Sequence, residues 1–277
     1  MYRRPPGVSV EQFCDQKVAD LENKILELGP ENVACFIAEP IMGAGGVIVP
    51  PPGYHRRTWE VCQKYEVLYI SDEVVTAFGR LGEMFASEAV FDLRPDILTC
   101  AKGIASGYLP LGATLFSDEI YDVISVPQAE GAMFTHGFTY SGHPVSCAAG
   151  IKNIEIIERE DICGHVREVG PYLEQQLAGL LDLPIVGDVR GKNFMMCIEN
   201  VADKETKELL PAEVRIGNRI ADHCQKRGLI VRPIAHLNVL SPPHILTNEH
   251  IDTMVAILGE SITATMDDLV CEGLWNN

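Results

Sequence analysis

Two side chains of opposite charge stand thirty positions apart, each at the end of a short apolar run. Val67–Ser71 delivers Asp72, and Ile97–Ala101 delivers Lys102. Both runs are aliphatic or β-branched and bounded by turn residues, which predicts two buried strands. A lysine that leaves an apolar strand into Gly103, Ala105, Ser106 and Gly107 is not in the usual company of a solvated cation. Burial disfavours an ammonium, and a neutral amine can condense with a carbonyl to a Schiff base. A carboxylate on the neighbouring strand end gains a use if that carbonyl is pyridoxal phosphate: it keeps the pyridine nitrogen protonated, and the ring then acts as an electron sink. A structural Asp72–Lys102 ion pair at a sheet edge accounts for the same spacing.

The elements that must position this pair alternate in type. Ser9 with Gln12 three positions later has the capping-box pattern, and Phe13, Val18, Leu21, Ile25 and Leu28 follow at helical spacing until Gly29-Pro30. Val33–Ala38 reads as a buried strand ending at Glu39-Pro40. After the Gly43–Gly46 turn and the Pro50–Pro52 triplet, Gly53 to Glu66 reads as a helix leading into Val67. Beyond Lys102, a strand is expected at Leu111–Phe116, a short helix at Asp118–Ile124, a loop over Gln128–Pro144, and helices over Val145–Glu158 and from Gly164 to Leu181. Such alternation predicts an α/β fold with a mostly parallel sheet. In such a sheet Asp72 and Lys102 both leave the carboxyl edge, where ligands bind. From Pro184 the texture changes to short strands (Ile185–Val189, Phe194–Ile198), a helix near Glu213–Arg227, more short strands and an acidic helix from Asn248. That pattern predicts a smaller C-terminal α+β domain, with residues 1–165 forming the first unit and 166–277 the second.

Composition narrows the function. With 277 residues, 47% apolar and 22% charged, the chain can bury a sizeable core. A net charge of −17 argues against a basic nucleic-acid surface and favours small molecules or proteins as partners. No apolar run is long enough to span a bilayer, and MYRRPPGVSV lacks the apolar core of a secretory signal. Nine scattered cysteines without a CxxC pair predict a reduced, cytoplasmic protein. His136 and His143 have no ligand-spaced partner, so no metal site is expected. The Gly43–Gly46 turn lacks dinucleotide-binding spacing. The Arg3-Arg4 and Arg56-Arg57 pairs read as solvated faces.

Four words in sequence carry a resemblance: AEPIMGAGGVIVPPPGY (Ala38–Tyr54), SDEVVTAFGR (Ser71–Arg80), DILTCAKGIASGYLPLGA (Asp96–Ala113) and HGFTYSGHPVSCAAG (His136–Gly150). In their order and separations they resemble the class III aminotransferases, fold-type I enzymes dependent on pyridoxal phosphate, and most of all the ω-amino acid/amine:pyruvate branch. The resemblance implies the large domain of that fold, incomplete at its N-terminus, plus the smaller C-terminal domain. It also implies roles. Lys102 would hold the cofactor as a Schiff base and, once released, move the proton. Asp72 would face the pyridinium nitrogen and Val74 one face of the ring. Thr139 would reach the phosphate from the second subunit of a homodimer. Glu39 would sit near the cofactor or pair with a substrate-binding arginine. Arg232, in GLIVRPIAHLNVLSPP, would grip a substrate carboxylate in the bidentate way that suits a guanidinium. Val75 stands where some class III relatives carry Gln, which favours the amine:pyruvate branch.

The implied activity is transfer of an amino group from an amine or ω-amino acid to a keto acid such as pyruvate. An aminomutase or decarboxylase of the same fold is a neighbouring reading. Family members carry a long region before the point matching Met1, including a Gly/Ser turn for the phosphate and an aromatic over the ring, and nothing in this sequence replaces them. The alternative expectation is therefore a truncated chain that binds the cofactor weakly or only self-associates, because a parallel sheet short of strands bares an edge or an apolar face.

Overall fold

The computed structural model describes residues 1–125 and 134–275. Eight helices and eight strands occur among them: α1 (Val10–Leu28), β1 (Cys35–Ala38), α2 (Tyr54–Lys64), β2 (Leu68–Asp72), α3 (Ala86–Phe91), β3 (Ile97–Cys100), β4 (Ala113–Phe116), α4 (Asp118–Ser125), α5 (Pro144–Arg159), α6 (Ile162–Ala178), β5 (Val186–Lys192), β6 (Met195–Asn200), α7 (Ile216–Lys226), β7 (Arg232–Ile234), β8 (Leu237–Leu240) and α8 (Asn248–Cys271). Part of the loop expected over Gln128–Pro144 lies outside the described residues; the rest of it has no regular structure until α5.

The capping box that opens α1 forms as its residues predict. Gln12 N donates to Ser9 Oγ at 3.0 Å, and Ser9 N donates to Gln12 Oε1 at 2.9 Å. Gly29 ends the helix with φ 81°, a left-handed backbone that glycine adopts without a Cβ penalty. Cys14, Val18 and Ile25 of α1 then pack with Val61 and Cys62 of α2 and Tyr69 of β2.

The first sheet runs β1-β2-β3-β4, parallel through β3 and closed by an antiparallel β4. Its strands are not buried on both faces. Tyr69, Ser71 and Cys100 are sealed on the side covered by the helices, whereas Cys35 and Ile37 of β1 and Leu68 of β2 are exposed. Register puts Ile37 beside Ile70, Ile70 beside Ile97, and Ile97 opposite Phe116, so these residues share one face. The expectation of buried strands is corrected here: a continuous apolar run meant one helix-covered face and one bare apolar face, because burial depends on what packs against a strand rather than on its own composition.

The second sheet, β5-β6-β8-β7, is antiparallel throughout. Val166, Leu173 and Leu177 of α6, Ile220 of α7, and Ile251 and Leu258 of α8 cover one side, against Met196 and Ile198. The alternate residues Met195 and Cys197, with Leu237 and Val239, meet Ile41, Val47, Leu81 and Ala86 from the N-terminal part. With both faces covered, β6 is buried along its whole length, the polar Glu199 and Asn200 included.

The paired arginines do more than face solvent. Arg3 donates to the buried Glu199 carboxylate from Nε (2.8 Å) and Nη2 (2.5 Å), and Arg56 and Arg57 pair with Asp92 and Asp15. Arg190 joins the same carboxylate and donates from Nε to Gly46 O at 2.9 Å. Burial works against the charged form of Glu199, but Arg190 and then Arg3 outweigh it and hold this carboxyl below the ordinary value.

Candidate active site

Adjacent parallel strands bring Asp72 and Lys102 to one edge. Asp72 ends β2 and registers with Thr99 of β3, three residues before Lys102. The chain turns sharply at each. Lys102 opens a short 3-10 turn, Lys102–Ala105, with φ 45°, a left-handed conformation that costs a β-carbon-bearing residue energy and persists only where its surroundings enforce it. Two contacts enforce it. Asn153 of α5 donates from Nδ2 to Gly103 O (2.8 Å) and Ile104 O (3.2 Å). Gly103 lies so close to the segment after β2 that a Cβ there would stand 2.9 Å from Phe78 Cβ and 3.3 Å from Ala77 O. Ala77, Phe78, Cys100, Ile104 and Ala105 form one buried cluster, so the lysine turn and the segment beyond Asp72 are packed as a unit.

The two charges are not spent on each other. Asp72 Oδ1 accepts from Val74 N at 3.0 Å; among the described residues Asp72 and Lys102 form no ion pair, and the Lys102 side chain has no hydrogen-bond partner. A structural ion pair is therefore not what the spacing encodes. Asp72 and Val74 are partly buried, while the Lys102 side chain is exposed. Glu39 follows β1 on the same edge and accepts from Gly43 N at 2.8 Å through Oε2. That oxygen serves the glycine turn rather than a guanidinium. A Cβ at Gly43 would meet Glu39, Val75 and Met195 at 3.3–3.5 Å, so Val75 packs at the seam between the two sheets.

Arg232 and Thr139 stand apart from this edge. Arg232 opens β7 with an exposed side chain and lines a cavity of about 920 Å³ together with Ile230, Pro242, His250 and Met254, a wall that includes neither Asp72 nor Lys102. Thr139 lies in an exposed loop between Phe138 and Tyr140, whose rings are 78% and 79% accessible. An aromatic loop this bare is suited to contact with another molecule.

The sequence words did not point to Glu73 and Asn153. Glu73 is fully buried directly after Asp72. Oε1 accepts from Ser87 N (2.8 Å) and Ser87 Oγ (2.5 Å), and Oε2 from Ala86 N (2.7 Å) and Thr76 Oγ1 (3.1 Å). A second carboxylate beside the first, inside an apolar strand end, is the only hint its sequence offers. Nothing local marks Asn153.

The donor set fits pyridoxal phosphate at its ring end. A carboxylate at the strand end suits a cationic ring nitrogen, an amine on the next strand suits the aldehyde, and Val74 offers an apolar surface. Thr139, which the resemblance assigns to the phosphate, lies on a separate loop.

Comparison with known proteins bears on the family and the fold. The family described as aminotransferase class-III matches residues 3–262. A probable gamma-aminobutyrate transaminase 4 of Oryza sativa subsp. japonica is 44% identical over 261 residues, covering 94% of this chain and 54% of its own length. The omega transaminase of Pseudomonas jessenii, solved in complex with PMP, superposes with a TM-score of 0.91 at 37% identity, over 96% of this chain and 59% of its own. A thermostable (S)-enantioselective omega-transaminase of Thermomicrobium roseum gives 0.89 at 41% identity, over 97% and 58%. The chain thus spans between half and three-fifths of the length of these relatives. By residues matched, identity and fold, it belongs to the class III aminotransferases, a family dependent on pyridoxal phosphate.

Proposed function

We propose that this chain carries the lysine and ring-nitrogen side of a transaminase site that moves an amino group from an amine or ω-amino acid to a keto acid such as pyruvate. The observation that carries the reading is the pair of unspent, opposite charges that adjacent parallel strands deliver to one carboxyl edge. Pyridoxal phosphate, when bound, supplies an electron sink for the carbon bearing the amino group. Lys102 would hold the cofactor through Nζ, and the same amine would move the proton at the carbon bearing the amino group. The Asp72 carboxylate would keep the ring nitrogen protonated and Val74 would face the ring, and Glu39 lies at the same edge. Thr139 serves the phosphate from the partner subunit of a homodimer, which the exposed aromatics around it support. Arg232, without an acidic partner among the described residues, receives a substrate carboxylate.

Two further parts belong to the same reading. Residues 1–165 would hold the cofactor and residues 166–277 form the smaller unit. The packing of Val166, Leu173 and Leu177 against the second sheet supports the division, although it falls inside α6, whose first turn begins at Ile162. A cytoplasmic location is supported by nine free cysteines, although several rice relatives are named as mitochondrial. Among the described residues no helix is long and apolar enough to cross a membrane. A second reading, that the chain binds the cofactor weakly or chiefly self-associates, is favoured by the bare face around Ile37.

Borohydride trapping after incubation with pyridoxal phosphate, followed by peptide mapping, tests the first reading. The expected adduct sits on Lys102 and is absent in Lys102→Ala. No adduct, or one on another lysine, sinks it. In the same protein, pyruvate-dependent loss of donor should fall at least tenfold in Arg232→Ala for carboxylate-bearing donors and little for plain amines. Equal losses for both would remove the role given to Arg232.

A further inference from the structure

Glu73 is a buried carboxylate that the proposed chemistry does not use. Among the described residues it has no cationic partner; every hydrogen bond to its side chain comes from a neutral N–H or O–H group. Two of these donors, Ala86 N and Ser87 N, are the first amides of α3, where orphan backbone donors and the positive end of the helix favour an anion. The main chain of Glu73 is tied in another direction, its N–H donating to Thr99 O of β3 at 2.8 Å and its carbonyl accepting from Ala77 N at 3.2 Å. Ser71, two residues earlier, adds a hydrogen bond between its Oγ and Ser87 Oγ at 2.7 Å. Ser71 and Glu73 thus point inward and are locked to α3. Asp72 sits between them on the opposite, open side of the strand, where among the described residues its one side-chain hydrogen bond comes from Val74 N.

We propose that Glu73 is a positioning residue: by anchoring the end of β2 to the start of α3 and to β3, it fixes the backbone that aims Asp72 and sets its register against the lysine turn. The inference rests on the cofactor reading for its consequence but not for its geometry. Glu73→Gln keeps the size of the side chain while turning an NH₂ group toward donors, which leaves a buried amide or hydroxyl unsatisfied. The carboxylate of Asp72 then loses its fixed direction. Ser87→Ala removes a single donor and is a milder form of the same disturbance.

The test has two arms. In the chain without cofactor, amide hydrogen exchange reads the Asp72–Val74 contact directly. Exchange of the Val74 amide should accelerate at least tenfold in Glu73→Gln and by less in Ser87→Ala, while amides of α8 keep wild-type rates. With pyridoxal phosphate added, the affinity should fall about tenfold and the visible band should move in the same direction as in Asp72→Asn. In the Asp72→Asn background Glu73→Gln should add nothing, since the two act through one group. Unchanged Val74 exchange, or effects of the two substitutions that add in full, would overturn the proposal and leave Glu73 a purely structural anchor. If Glu73→Gln does not fold, Ser87→Ala decides both arms by the same criteria. If the wild-type chain takes up no cofactor, the proposed function fails, and the exchange arm still decides whether Glu73 positions Asp72.

Discussion

Residue by residue, this chain combines side chains poised for chemistry with others that simply dislike acid. His244 is the sharpest of the latter. Its Nε2 is buried without a partner, and burial, helped by the nearby charge of Arg80, pushes its pKa down to about 4. Arg80 is itself enclosed, donating from Nη1 to Phe194 O (2.9 Å) and Pro242 O (2.6 Å), and burial lowers its pKa to about 10. At neutral pH it stays a cation. The unfolded chain protonates histidine near pH 6.5, whereas folded His244 resists until about pH 4. The unfolded state therefore binds the proton first as pH falls. Stability linked to His244 is intact above pH 6.5 and drains away between pH 6.5 and about 4. Urea unfolding at pH 7.5 and 4.5 should show the wild type losing about 2 kcal/mol more than His244→Gln over that interval. His55 and His236, also lowered chiefly by burial, contribute equally to both proteins. Parallel pH profiles for wild type and variant would dismiss the role of His244.

At the scale of the element, helix ends were the most legible feature, because their determinants are local. Ser9, Gln12 and Gly29 bound α1 where their side-chain chemistry predicts, so Ser9→Ala should cost about 1 kcal/mol. In thermal unfolding that is a fall of roughly 2 °C for a chain of this size, and an unchanged midpoint would show the cap to be idle. Strand positions were legible too, since apolar runs between turn residues place β2 and β3 to within a residue or two. Three features were not legible. The sequence of β4 does not say that it runs antiparallel, because direction is set by the length and path of the connection through Gly107–Gly112. Apart from Thr76, the partners of Glu73 lie thirteen and fourteen residues on, at the start of a helix whose N-terminal residue before it, Phe85, gives no side-chain cap. Arg3 finds Glu199 across 196 positions, a contact that no local window contains. Asp72 and Lys102 were visible because chemistry at a strand end needs only the strand and the residue; the anchors that aim them were hidden because they act through tertiary contacts.

On the scale of the whole molecule, two exposed apolar surfaces pull association in different directions. One is the aromatic loop with Phe138 and Tyr140, proposed as part of a closed dimer that brings Thr139 to a partner's cofactor. The other is the open face of the first sheet, where Ile37 is 56% accessible, Phe116 38% and Leu68 37%. Apolar area in water drives burial against whatever apolar surface is available. A sheet face is broad and weakly specified, so copies meeting through it need not stop at two. Burying one such isoleucine is worth about 2 kcal/mol, or roughly a thirtyfold change in association constant. Sedimentation velocity across a range of concentrations should therefore show species larger than a dimer in the wild type. In Ile37→Lys these should recede while the dimer remains, and in Phe138→Asp the dimer should weaken while the larger species persist. Identical profiles for Ile37→Lys and wild type would mean that the sheet face does not drive association. Loss of every assembly in Phe138→Asp would mean instead that growth depends on the dimer forming first.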